Sequence, residues 1–377
     1  MSEGKMAESI RAAEVFPPGE YIKDELEARG WAQADLAEII GTSAKLVSDL
    51  IAARCSVTPE TAQALGSAFG TSSQVWMNLD NAYRLWRLKP DNDISRRANL
   101  YAKGPIRQML RRHWIEPSDN LDVLEQRVKD FYLLASINDV PAFPYAARRS
   151  TLATTPSQLA WLFRAKALAD GVSVARTFSD SSCRDAIAHL RPMMANPEDA
   201  RMIPQLLAEQ GIRLVCVEGL SGAKIDGATF WPSKDSPVIA LSFRYDRIDW
   251  FWFTLLHELD HVANRERSLD IDLVGTHAEP GEVKSKAEQR ADRNATEALV
   301  PRGKLDSFIT RVEPLFAKVR IMGFANTIGV NPGIVVGQLQ RRDVISYAHS
   351  RDLLARVRVF VLGAALTDGW GYRPTGL

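Results

Sequence analysis

The chain has 377 residues and a formal net charge of +1, with 46% apolar and 25% charged residues; this length admits two or three domains, and the near-neutral balance announces neither a nucleic-acid nor an acidic partner for the molecule as a whole. Cys55, Cys183 and Cys216 form no C-x-x-C pair, which excludes a disulfide framework and a cysteine zinc site. No stretch offers about 20 uninterrupted apolar residues and the amino terminus carries no apolar run of signal-peptide length, so the expectation is a cytoplasmic protein with no membrane segment.

From the amino terminus, Pro17, Pro18 and Gly19 open a compact region with apolar residues at helical spacing. Gln33 to Ile40 (QADLAEII) reads as a short helix with Leu36, Ala37 and Ile40 on one side, and Ala44 to Ala52 (AKLVSDLIA) as a second with Val47 and Leu50 inward. Gly41, Thr42 and Ser43 turn the chain between them, which makes a helix-turn-helix. Ala37 is small where the helices cross, Gly41 tolerates the left-handed turn, and Thr42 or Ser43 can cap the second helix.

Through PPGEYIKDELEARGW, QADLAEIIGTSAKLVSDLI and TPETAQALGSAFGTSSQVWMNLDNAYRLW, most of the first 86 residues resemble the lambda-repressor-like, Cro/C1-type helix-turn-helix family, and within it the HigA-type antitoxins. Trp76, Met77, Leu79 and Tyr83 hold the places of its closing helix. The resemblance implies a five-helix domain over residues 1–90, operator DNA as partner, and a homodimer. It also implies that the helix from Ala44 enters the major groove, with Ser43, Lys45, Ser48 and Asp49 facing base edges or phosphates. Charge works against this, since residues 1–90 carry nine basic and twelve acidic side chains, a net −3, and DNA affinity rests largely on phosphate neutralisation. Dimerisation, or the run Arg96, Arg97, Lys103, Arg107, Arg111 and Arg112, is needed to supply the deficit; the alternatives are a basic face paired to acids elsewhere and a helix-turn-helix kept for dimerisation or for holding a partner protein.

Residues 89–93 (KPDND) read as a linker, and 91–195 as a helical connecting region interrupted at 116–120 (EPSDN) and 139–144 (DVPAFP). His113 and His189 stand alone in it and read as surface or satisfied histidines. After Pro197, Ile203 to Gln210 has helical spacing, while Arg213 to Val217, Ala228 to Trp231 and Val238 to Leu241 are short β-rich runs separated by glycine, serine and proline.

These runs lead into DWFWFTLLHELDHVAN, where His257 and His261 lie four apart with Glu258 after the first. At that spacing both imidazoles project from one helix face about one turn apart and can bind one ion, while Glu258 can reach a water in the ion's open position. The alternative is a buried helix whose histidines are merely hydrogen-bonded; Asp260 reads as an outer-shell or capping residue. A catalytic zinc needs a third protein ligand. Asp270, Asp272, His277, Glu279 and Glu282 are available in the following loop, but Glu288 on the next helix is preferred, because Glu288, Ala291, Asp292, Ala295 and Leu299 share one face whose small alanines permit close packing.

LSFRYDRIDWFWFTLLHELDHV followed by EQRADRNATEALVP resembles the ImmA/IrrE family of zinc metallo-endopeptidases, from about residue 157 to 341, with Asn294 standing where many members have an aromatic residue. The LAWLFRAKA run and Arg148 to Ser150 resemble the segment that precedes the peptidase core when it is joined to a helix-turn-helix. The resemblance implies Zn2+ held by His257, His261 and Glu288, with Glu258 as general base. It also implies a repressor or toxin-antitoxin protein as substrate or partner. Tyr245, Arg247 and His277 are candidates to polarise the scissile carbonyl or stabilise its oxyanion, with structural roles as the alternative. The segment FANTIGVNPGIVVGQLQRR has helix-turn-helix spacing but reads as the family's carboxy-terminal extension packed on the peptidase.

The expected fold is mainly α with a small β-sheet (α+β): a helix-turn-helix domain over 1–90, the connecting region over 91–195, a compact zincin-like domain over 196–345 and a carboxy-terminal tail over 346–377. The expected function is a helix-turn-helix regulator with an endopeptidase domain. The alternative is a HigA-type antitoxin or transcription factor whose zinc domain is a sensor or scaffold and cuts nothing.

Overall fold

A computed structural model describes residues 15–88, 92–144, 154–266 and 285–374. It is mostly helical with one four-stranded sheet, the α+β class expected from sequence. The chain divides into two compact units, Met1–Asn92 and Asp93–Leu377.

The first unit comprises α1 (Pro18–Arg29), α2 (Gln33–Ile39), α3 (Ala44–Ile51), α4 (Pro59–Phe69) and α5 (Ser73–Arg87). Its helix starts are written locally: Pro sits in the first turn of α1 and α4, and the Ser43 and Thr58 hydroxyls accept the Leu46 and Thr61 amides at 3.2 and 3.3 Å. Gly41 takes φ +66° in the turn between α2 and α3. Ile22, Leu36, Val47, Leu65 and Trp76 form a closed core. Gly19 is required for the tight crossing of α1 over α3, because a Cβ there would lie 2.1 Å from the Ile51 carbonyl oxygen.

The second unit runs from α6 (Asn92–Lys103) through α7 (Ile106–Arg111), α8 (Leu121–Tyr132), α9 (Pro156–Asp170), α10 (Asp180–Leu190) and α11 (Ile203–Glu209) into β1 (Arg213–Val217), β2 (Gly227–Ser233) and β3 (Ser236–Leu241). It continues with α12 (Ile248–Ala263), α13 (Lys286–Leu299), α14 (Arg302–Val312), α15 (Lys318–Ile328), α16 (Pro332–Arg341), α17 (Arg358–Leu362) and β4 (Leu366–Asp368). The strand order is β2-β3-β1-β4; β1 runs parallel to β3 and β4, whereas β2 is an antiparallel edge strand on β3.

Parallel strands are stable only with both faces covered, and side-chain alternation divides β1 accordingly. Leu214 and Cys216 join the core that contains Trp252, Leu255 and Leu259 of α12, while Val215 and Val217 join a second core with Trp161, Leu162 and Ala165 of α9. The expected boundaries are corrected by this layering. The region 91–195 is no separate connector, because its α9 forms one layer of the sheet's covering, with Trp161 Nε1 donating to the Val217 carbonyl at 2.8 Å. Nor is 346–377 a free tail, since β4 within it pairs Val215–Val217 with Leu366–Asp368 and Arg164 binds Asp368 at 2.5 Å. Of the expected linker, residues 89–91 lie outside the described residues, and Asn92 and Asp93 already begin α6.

α15 and α16 do turn about Gly329 at φ +71°, as a helix-turn-helix would. However, Ile334, Val335, Val336 and Leu339 of α16 are buried, and Gly337 abuts Asp249 of α12 so closely that a Cβ would sit 2.2 Å from its carboxylate. That helix is core and presents no face to a groove in DNA. Among the described residues no single helix is long and apolar enough to cross a membrane.

Candidate metal centre and helix-turn-helix

α12 is apolar almost all round, the pattern of a helix enclosed on every side. The sheet lies on one side of it and α10, α13 and α16 pack around the rest. His257, Glu258, His261 and Glu288 are consequently buried, at 0%, 1%, 6% and 8% exposure. Glu288 arrives in the first turn of α13, whose N-terminus is fixed by the Ser285 hydroxyl accepting the Glu288 amide at 3.1 Å. Ala291 and Ala295, both buried, leave room for α13 to lie against α12.

The three side chains converge. His257 Nε2 and His261 Nε2 are 3.0 Å apart, and the two Glu288 oxygens lie 3.2 Å from one nitrogen each. A tetrahedral ion with bonds near 2.05 Å holds its ligand atoms about 3.3 Å apart, so the donor set fits one small cation with little adjustment. A carboxylate lies beside each outward nitrogen: His257 Nδ1 is 3.1 Å from Asp292 Oδ1, and His261 Nδ1 is hydrogen-bonded to Glu266 Oε2 at 2.5 Å. Burial opposes a charge on His261, but the Glu288 hydrogen bond and the charges of Glu258 and Glu288 outweigh it and push its pKa up to about 9.

Glu258 faces β2. Thr229 Oγ1 donates to Glu258 Oε2 at 2.7 Å, and a Cβ on Gly227 would fall 2.6 Å from Glu258 Oε1, so glycine leaves the carboxylate its space. Asp260, on the flank, is a tie between helices. It accepts from Arg290 Nε at 2.8 Å and Asn294 Nδ2 at 2.7 Å, both on α13, and Arg290 also reaches Glu266 at 2.9 Å. Asn294, the departure noted from the resemblance, therefore holds the two motif helices together.

The oxyanion candidates fare differently. Arg247 caps the start of α12, about 15 Å along the axis from His257, where Asp249 holds it at 3.0 and 2.8 Å and Gln340 at 2.9 Å. These bonds support the structural alternative for its guanidinium. Tyr245 packs edge-on to Trp250 with centroids 4.6 Å apart and under the Arg244 guanidinium, at the start of α12. His277, with Asp270, Asp272, Glu279 and Glu282, lies outside the described residues.

Sequence reasoning missed Glu266, Thr229 and Gly227. Glu266 follows the end of α12, where Arg265 at φ +51° reverses the chain and the Glu266 amide donates to the His261 carbonyl at 3.0 Å; helical periodicity stops before that point. Asp292 had a legible signal, one turn beyond Glu288 on the same face.

In the first unit, Ser43 spends its hydroxyl as the cap of α3, Lys45 is exposed, Ser48 is half-buried, and Asp49 forms a 3.4 Å ion pair with Arg54. The basic run does not act as one surface. Arg96 is held by Glu125 at 2.8 Å and by Asp122, Lys103 is buried against the Asp139 carbonyl at 2.8 Å, and Arg112 donates to the Glu218 carbonyl at 2.6 Å. Only Arg97, Arg107 and Arg111 of the run are exposed.

A helix-turn-helix family profile matches residues 22–76. An uncharacterised helix-turn-helix-type transcriptional regulator of Escherichia coli K12, YddM, is 30% identical over 83 residues, which are 22% of this chain and 88% of that protein. Two solved structures are also similar: the Pseudomonas aeruginosa antitoxin HigA with its promoter DNA (30% identity, 21% of this chain and 99% of that one, TM-score 0.19) and a Pseudomonas aeruginosa protein in complex with its operator DNA (32%, 28% and 98%, TM-score 0.19).

Proposed function

Since the chain belongs, through its amino-terminal domain, to the helix-turn-helix transcriptional regulators, we propose that it is a DNA-binding regulator, acting as a homodimer, whose second unit is a zinc-dependent endopeptidase of the ImmA/IrrE type. The observation that carries the peptidase reading is the convergence of His257 Nε2, His261 Nε2 and the Glu288 carboxylate within 3.0–3.2 Å, with a carboxylate beside each outward Nδ1 and Glu258 next to the first histidine. Bound zinc supplies a Lewis acid for the scissile carbonyl and lowers the pKa of the attacking water.

The remaining work falls to the chain's own groups. Glu258 takes the water's proton and returns it to the leaving amine, held for this by the Thr229 hydroxyl on Oε2. β2, the edge strand carrying Gly227 and Thr229, runs beside Glu258 and pairs with an extended substrate peptide through its main chain. The substrate is a DNA-binding repressor or a toxin-antitoxin partner, which couples the cut to the genes the amino-terminal domain addresses.

Metal analysis of the purified full chain tests the site. The expected result is one zinc per chain, lost in His257→Ala and Glu288→Gln while Glu258→Gln retains it. A full chain that takes up no zinc from a zinc-supplemented buffer removes the peptidase reading.

A further inference from the structure

A groove of about 970 Å³ lies between α14 and α15 of the second unit, remote in sequence from the triad helix. Its floor is apolar, with Phe308 and Phe324 stacked at 4.4 Å between centroids and 12° between planes. Its walls are low. Gly303 and Ser307 line it from α14 and Gly323 and Thr327 from α15, each pair one turn apart, and a Cβ at either glycine meets no atom within 4 Å. Val319 on the rim is 73% exposed, and Leu315 and Met322, before and along the same helix, are 79% and 44% exposed.

The groove is also one-signed. Lys304, Arg311 and Arg320 line it and no acidic side chain does; Asp306, the acid on α14, is turned to Arg342 at 2.6 Å and Arg302 at 3.7 Å. Lys304 and Arg311 stand seven residues apart on α14, about 10.5 Å along its axis, with Arg320 on the opposing helix. Low walls of small residues admit a helix to close approach, and an aromatic floor buries an apolar stripe. Two cations two turns apart match carboxylates at i and i+7 of a helix lying along α14. A phosphodiester backbone would satisfy the cations but leave the exposed apolar rim of Val319, Leu315 and Met322 uncovered.

From these features we propose that the α14–α15 groove is a docking site for an acidic amphipathic helix of a partner protein. The site is independent of the metal centre and of the peptidase reading.

The test uses the full chain and a fluorescein-labelled helical peptide about four turns long, with Glu at i and i+7 and Leu and Ala between. Anisotropy is expected to show saturable binding, weakened at least about tenfold by Lys304→Glu with Arg320→Glu and blocked by Gly303→Leu with Gly323→Leu. Both glycines face open space, so the latter variant keeps its melting profile. In a charge swap, the same peptide with Lys for Glu binds the variant in which Lys304, Arg311 and Arg320 are all Glu. Absence of saturable binding overturns the proposal, as does equal affinity for wild-type and charge-reversed grooves. So does a loss of affinity for short duplex DNA, and not for the peptide, on charge reversal.

Discussion

At the scale of single residues, the candidate site depends on what surrounds its ligands. Gly227 is the sharpest case, because alanine there would set a Cβ 2.6 Å from Glu258 Oε1 and 2.8 Å from Thr254 Cγ2. Gly227→Ala is expected to displace the carboxylate, abolish cleavage with zinc retained, and destabilise the fold by about 1–3 kcal/mol through overpacking; denaturant midpoints and zinc content measured on one sample separate these effects. His261 makes a pH prediction. Its folded pKa, about 9, lies above the ordinary 6.5, so its stabilising protonation is fully present below pH 6.5 and is lost as pH rises through 9. Chelator-treated protein should therefore lose stability as pH rises through 9, read from denaturant midpoints, and His261→Gln should flatten that slope. Asp292→Asn is expected to lower zinc affinity about 10–100-fold, measured by chelator competition, because it loosens the ring that presents His257 Nε2. The convergence of His257 and His261 was legible in the sequence, because i, i+4 spacing on a helix dictates shared direction. Thr229 and Gly227 were not, since nothing in a strand's local pattern says which helix turn it will face.

At the scale of elements, the site is an agreement between α12 and α13, and Asp260 enforces it. That buried carboxylate receives Arg290 and Asn294 from the neighbouring helix. Asp260→Ala is expected to cost about 3–5 kcal/mol, since it strands a half-buried guanidinium, and to release zinc before global unfolding, a sequence of events visible by comparing zinc loss with far-UV circular dichroism during a melt. α2, α3 and the strands β1 to β3 were located from sequence to within a few residues, because Gly41 and Ser43 punctuate the two helices and short β-rich runs mark the strands. β4 escaped notice. Three residues, Leu366–Asp368, between glycine-rich turns carry no strand periodicity of their own, and only pairing with β1 makes them one. Arg247 was offered in sequence with a substrate role and a structural role side by side; its contact with Asp249 is local, but its bond to Gln340 depends on α16, which is distant in the chain and gives no local signal.

At the scale of the whole molecule the chain forms two units with separate cores, and the sequence divides near the same point because the helix-turn-helix pattern ends with the closing helix around Trp76. The layered second unit was less legible: α9, whose apolar residues cover the sheet, looks in sequence like any helix of a connector. Calorimetry of the full chain should show a transition that shifts to lower temperature on zinc removal, from the second unit, and another that does not, from the first. The acidic balance of residues 1–90 limits phosphate neutralisation by an isolated module, so residues 1–92 alone should bind an upstream operator less tightly than the full chain in a mobility-shift titration. The measurement that goes most directly to the central claim is a mass-spectrometric comparison of new protein amino termini in cells expressing the wild-type chain or Glu258→Gln. A neo-terminus within a helix-turn-helix or toxin-antitoxin protein, present with the wild type and absent with Glu258→Gln at equal zinc loading, is the predicted result; identical sets of termini in the two strains, with zinc bound in both, would contradict it.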